Sequence, residues 1–143
     1  MINRIIRTKP LPLFILRLIT GLIFLSEGLQ KFINSESVGT GRFAKIGFQN
    51  PEFWASAVGV VEIVCGILLL LGFISRLAAF PLLVIMIVAF ITTKIPTFLD
   101  KGFWAFAHEY RTDFAMTMLL IFLLYFGSGN FSIDKNLISR EQE

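Results

Sequence analysis

An all-α fold, a bundle of four transmembrane helices, is what this sequence predicts, and three observations predict it. Of its 143 residues 55% are hydrophobic and only 16% are charged, with sixteen phenylalanines. A soluble domain of that length has too little interior for so much apolar surface, whereas hydrocarbon leaves it nothing to hide from. The hydropathy, with a mean of +0.75, breaks into four runs, each near the ~20 residues that a helix rising about 1.5 Å per residue needs to cross about 30 Å of hydrocarbon. No period-two alternation reads as a strand. The whole chain, residues 1–143, is expected to be a single membrane domain.

The first run, residues 11–33, follows a basic start carrying Arg4, Arg7, Lys9 and Pro12. It is long and has no small-residue cleavage site before Arg17 and Glu27, so it is expected to be a retained span and not a removed signal peptide. The second run, residues 53–73, and the third, residues 77–93, are joined only by Ile74, Ser75 and Arg76, which forces an antiparallel hairpin. Pro81 falls in the first turns of the third run, where it is expected to kink the helix slightly. The fourth run is residues 112–127.

Two longer connections remain. Residues 34–52 contain Gly39, Gly41, Gly47 and Pro51, and interleave Phe43, Ile46 and Phe48 with Arg42 and Lys45, a pattern expected of an amphipathic piece on the headgroups. Residues 94–111 contain Pro96, Gly102, Phe103, Trp104, Phe106 and His108, and are expected to rest at the interface as well. With four crossings both connections emerge on one side and both termini on the other. Lys and Arg near the membrane ends tie, with Arg4, Arg7, Lys9, Arg76, Lys135 and Arg140 against Lys31, Arg42, Lys45, Lys94, Lys101 and Arg111. The tight cluster before the first span, with Arg17 one to two turns inside it, breaks the tie toward cytoplasmic termini in a bacterial inner membrane.

The chemistry centres on Glu62, which lies in the middle of an apolar span. An acid there costs roughly 2.5–3.5 kcal/mol on insertion scales, so it must face protein, water or a partner charge, and an intramembrane acid is a functional-site candidate by default. In the first span Arg17, Gly21, Phe24, Gly28 and Lys31 share one stripe, with Glu27 and Gln30 beside its outer end; in the second, Ala55, Gly59, Glu62 and Gly66 share another. Glycines on a stripe mark a face that meets other helices. Glu62 is then about 13 Å deep, and Glu27, Gln30, Lys31, Glu62, His108, Glu109, Arg111 and Asp113 are expected to converge on a ligand-binding or proton-handling cavity open to the outer side. At the other end Arg17, Arg76 and Asp134 are expected to form a structural clamp.

Several classes fall away. A net charge of +3 would suit nucleic acid in a soluble chain, but the basic residues sit at span ends and read as topology signals. The single cysteine, Cys65, permits no intramolecular disulfide and reads as a packing residue. One histidine without HExxH or CxxC spacing makes no metal site and excludes a bis-histidine haem within one protomer. No Ser, His and Asp triad or phosphate-cradling loop is present. The aromatics, among them Trp54 and Trp104, suit packing and interfacial anchoring, although they could also stack a quinone ring.

The motifs Leu16-Arg17-Leu18 with Gly21, Phe24 to Lys31 with Glu27, Gly28 and Gln30, Gly59 to Gly66 with Glu62, Leu70 to Ala79 with Gly72 and Arg76, and Gly127 to Asp134 resemble, in order and spacing, the DoxX family of small bacterial membrane proteins. Many members carry His where this chain has Glu27. The resemblance implies a four-helix membrane bundle and association with redox systems, since the related DoxD family supplies a subunit of thiosulfate:quinone oxidoreductase and some DoxX proteins are linked to thiol and oxidative-stress complexes. The function expected is therefore an accessory or ligand-binding subunit of a quinone- or thiol-linked redox system, with a redox partner subunit; whether the isolated chain is an enzyme stays open, leaning against it, and an active chain would be an oxidoreductase subunit. A small-solute or ion carrier acting as a homo-oligomer, and a non-catalytic scaffold, are the alternatives.

Overall fold

The computed structural model describes residues 13–129 and 132–134. Arg4, Arg7, Lys9, Lys135 and Arg140, on which the orientation argument leans, lie outside the described residues. Everything regular among the described residues is helical: α1 (Leu13–Ile33), α2 (Thr40–Ile46), α3 (Pro51–Leu71), α4 (Ser75–Ala89), a π-helical turn (Phe90–Lys94), α5 (Ile95–Lys101) and α6 (Phe103–Phe126). Three stretches are long and apolar enough to cross a bilayer: Leu13–Ile33, Pro51–Leu71 and Ser75–Lys101, the last running from α4 through the π turn into α5.

The third crossing is therefore longer than the expected residues 77–93, and the connection of residues 94–111 is mostly helix. Pro96 explains why the winding changes there. In an uninterrupted α-helix its ring would meet the carbonyl of Thr92 and its missing N–H would orphan that group. The π turn absorbs the conflict, with the Ile95 N–H reaching back five residues to Phe90 O and the Thr92 and Thr93 hydroxyls donating to Val88 O and Ala89 O.

Local signals end the other helices. Pro51 opens α3, and Gly72, at φ 67, closes it in the left-handed conformation with its N–H on Leu68 O. The hairpin between α3 and α4 turns at Ile74, which holds φ 44, strained for a β-branched residue. Asp134, far along the chain, steadies that turn: its Oδ1 accepts the Ile74 N–H at 2.8 Å and its Oδ2 the Ser75 N–H at 3.5 Å. It caps α4 from a distance.

The four long helices close on one another, α1 against α3, α3 against α4, α4 against α6 and α6 against α1. Their common core takes Phe24 from α1, Cys65 and Leu69 from α3, Ala78, Ala79 and Leu82 from α4, and Met116, Leu120 and Leu123 from α6. Cys65 is buried in it, as a packing residue. The outward faces carry Ile19, Leu22, Val60, Val64, Ile67, Val84 and Ile87, all exposed, which is the surface that lipid covers.

A candidate proton-handling centre between two glycine faces

The contact between α1 and α3 is the most extensive in the molecule, and glycine makes it so. A Cβ on Gly28 would stand 2.8 Å from Gly59 O, and one on Gly21 would stand 2.9 Å from Gly66 O. Backbones this close admit no side chain between them. The antiparallel register pairs 28 with 59 and 21 with 66, which puts Leu25 opposite Glu62 and Lys31 farther along α1 by about 9 Å of axis.

Side-chain direction closes that gap. Every Cα–Cβ bond tilts toward its own helix N-terminus, so on antiparallel helices Lys31 leans down α1 while Glu62 leans up α3 toward it. Lys31 Nζ meets Glu62 Oε2 at 2.5 Å, with side-chain exposures of 9% and 5%. The same ammonium reaches Glu27 O at 3.5 Å, and the charged groups of Glu27 and of Arg42, on α2, lie within electrostatic reach of Glu62. Gln30 is turned to Ser26 on its own helix.

Glu109 and Asp113 form a second centre around a residue that sequence reasoning assigned only to topology. Lys94, 8% exposed, ends the π turn and places Nζ 3.0 Å from Asp113 Oδ2 and 3.1 Å from Glu109 O. The Glu109 carboxylate accepts from Thr97 at 3.2 Å and Lys101 at 3.4 Å. Phe90, Phe106 and Tyr110 pack beside this centre, Tyr110 stacking on Phe106 at 5.3 Å. The available signal was Thr92-Thr93-Lys94-Ile95-Pro96: a helix that meets proline must change winding, and an extra residue in a turn rotates all that follows by about 100°.

No hydrogen bond or ion pair among the described residues links the Lys31–Glu62 pair to the Lys94 centre. His108 and Arg111 are exposed at the start of α6 and make no side-chain bond or ion pair among the described residues. No group of three or more His, Cys, Asp or Glu among the described residues is placed to hold a metal. A cleft of about 410 Å³ opens elsewhere, between Ile46, Gly47, Phe48 and Gln49 on one side and Ile91, Thr92 and Pro96 on the other.

At the opposite end Arg17 is 1% exposed and packs on Gly72 beside Ser132, under the field of Asp134. Arg76 forms no ion pair with Asp134 among the described residues and donates to Tyr125 O at 3.0 Å, at the C-terminal end of α6. The three residues thus tie α1 to the hairpin, the tail to α4, and α4 to α6.

The DoxX family model matches residues 12–95, from the start of α1 to the first residue of α5. The chain belongs to the DoxX family. Among curated relatives, this DoxX protein is 49% identical over 131 residues to an uncharacterized membrane protein of Mycobacterium tuberculosis, covering 87% of this chain and 80% of that one. It is 31% identical over 121 residues to CatD of Bacillus subtilis, whose name assigns it provisionally to the oxidoreductases, covering 84% and 82%. An uncharacterized Haemophilus influenzae protein is 28% identical over 140 residues, covering 96% and 99%. No solved structure matches. The DoxX segment contains Lys31 and Glu62 with their glycine faces, while Glu109 and Asp113 lie beyond it.

Proposed function

We propose that this DoxX protein is an accessory subunit of a quinone- or thiol-linked redox system in the bacterial cytoplasmic membrane, and that the Lys31–Glu62 pair is its proton-handling centre. The observation that carries this is an ammonium and a carboxylate at 2.5 Å inside a helix contact that excludes lipid. Quinone and thiol redox steps move protons together with electrons, so a group that takes up and releases a proton away from bulk water is a part such a system needs. A close, hydrogen-bonded pair passes a proton without moving helices. That favours proton handling over a roomy ligand cavity at this position. The provisional oxidoreductase name of the 31% identical CatD supports the redox setting.

The same reading makes α6 a fourth crossing with both termini in the cytoplasm. Its 24 residues span about 36 Å, and the two carboxylates of its first half are paired, Asp113 with Lys94 and Glu109 with Lys101. Cysteine labelling from either side of intact cells, at Gln49 and Ser128, tests this topology: both sites reacting from the same side would refute it.

The functional test is quinol- and thiol-driven oxygen uptake by membranes lacking this protein and resupplied with wild type or Glu62→Gln. The variant is expected to accumulate in the membrane and fail to restore uptake. Restoration at the wild-type rate would overturn the proposal. Solute flux through liposomes holding the purified protein alone would favour a carrier instead.

A further inference from the structure

The geometry points to a binding site for one phospholipid with an anionic headgroup, its chain in the cleft between residues 46–49 and the π turn and its phosphate on Arg42 and Lys45. The cleft is walled by Ile46, Phe48, Ile91 and Pro96, and its volume of about 410 Å³ lies within the roughly 300–1,000 Å³ of small-molecule sites. Its depth in the membrane suits an acyl chain near the glycerol. From Ser75, where the third crossing begins, about 30 Å of hydrocarbon is used up some twenty residues later, near Ile95. Ile91 therefore lies in hydrocarbon and Pro96 at the headgroup boundary.

Two irregular stretches of backbone shape the cleft. Gly47 ends α2 at φ 92, turning the chain away from the helix axis. On the facing wall the π turn bulges where Pro96 interrupts the α-helical ladder. Phe48 is fixed from behind by edge contacts with Phe43 at 5.3 Å and Trp54 at 6.0 Å, which keeps it from folding into the space.

Charge selects the occupant. The sequence of α2, Thr-Gly-Arg-Phe-Ala-Lys-Ile, has two cations and no acid. Arg42 lies one turn before Ile46 on α2 and Lys45 directly precedes it, so both stand on the short helix whose C-terminal end walls the cleft, without lining it themselves. Both are exposed, and neither is spent in an ion pair within the described residues. An apolar slot at headgroup depth beside two exposed cations that form no ion pair among the described residues matches an amphiphile with a phosphate and no compensating positive charge.

The test is native mass spectrometry of the protein in mild detergent with equimolar phosphatidylglycerol and phosphatidylcholine. Phosphatidylglycerol is expected to be retained with a preference of roughly 30-fold, the ratio two basic residues supply. Arg42→Gln with Lys45→Gln is expected to reduce the preference to near one while phosphatidylcholine binding persists, and Lys45→Arg to keep it. Ile91→Trp, filling the slot at an exposed position, is expected to weaken both lipids. Equal retention by wild type, or a preference that survives Arg42→Gln with Lys45→Gln, would overturn the assignment. Displacement by millimolar inorganic phosphate would also overturn it, reducing the site to a bare anion contact.

Discussion

Removing one partner of the Lys31–Glu62 pair is expected to cost far more than removing both. At 2.5 Å and an effective dielectric of about 20, the Coulomb attraction is about 6–7 kcal/mol. Taking the two ions out of water costs several kcal/mol each, so the pair as a whole contributes little net stability. A single deletion forfeits the attraction and keeps one penalty, so Lys31→Met and Glu62→Leu are each expected to destabilise by about 3–5 kcal/mol, while the double variant returns to wild type or exceeds it by about 1–4 kcal/mol. Reversible unfolding in mixed micelles, followed by tryptophan fluorescence, gives all four corners of the cycle. Single variants each within about 1 kcal/mol of wild type would mean that the pair is hydrated, and a double variant costing the sum of the singles would mean that the two groups are not coupled.

Two further outcomes follow from other contacts. Gly28→Ala puts a methyl 2.8 Å from Gly59 O, and prying α1 from α3 is expected to cost about 1–3 kcal/mol in the same unfolding assay. Asp134→Ala removes both acceptors that cap α4 and steady Ile74; a loss of about 0.5–2 kcal/mol is expected, with Asp134→Asn losing less.

What the sequence made legible, and what it did not, divides along physical lines. Helix identity follows from apolar runs set against the thickness of hydrocarbon, and the meeting of α1 with α3 follows from glycines seven residues apart on each helix, so Glu62 could be placed against the first helix from spacing alone. The partner needed more. Lys31 reaches Glu62 through a register offset and opposed side-chain tilts, and the offset is fixed only when Gly28 settles on Gly59. The expected gathering of Glu109 and Asp113 with Glu62 rested on their sharing one end of the bundle, and end-sharing says nothing about azimuth. Lys94 takes both because the π turn at Pro96 rotates it inward. Arg76 likewise has a carboxylate near in sequence logic, yet the open carbonyl of Tyr125 at a helix end takes its hydrogen bond.

Two lysine–carboxylate pairs in one small bundle, one buried and one half-buried, invite the question of which one works, and the chain itself offers a discriminating experiment. The Lys31–Glu62 pair lies within the segment that matches the DoxX family, whereas Lys94 stands in that segment with its partners outside it. Lys31–Glu62 is also the more enclosed, since Asp113 keeps a side-chain exposure of 30% against 5% for Glu62. The Lys94 contact is the less enclosed of the two, so Lys94→Met with Asp113→Leu is expected to shift stability modestly and leave membrane oxygen uptake unchanged. The double variant Lys31→Met with Glu62→Leu is expected to do the opposite, folding as well as wild type and restoring no uptake. If the Lys94 double variant is the one that folds and fails, the working centre lies at the π turn, and if both variants restore uptake, the two pairs serve only to hold helices together.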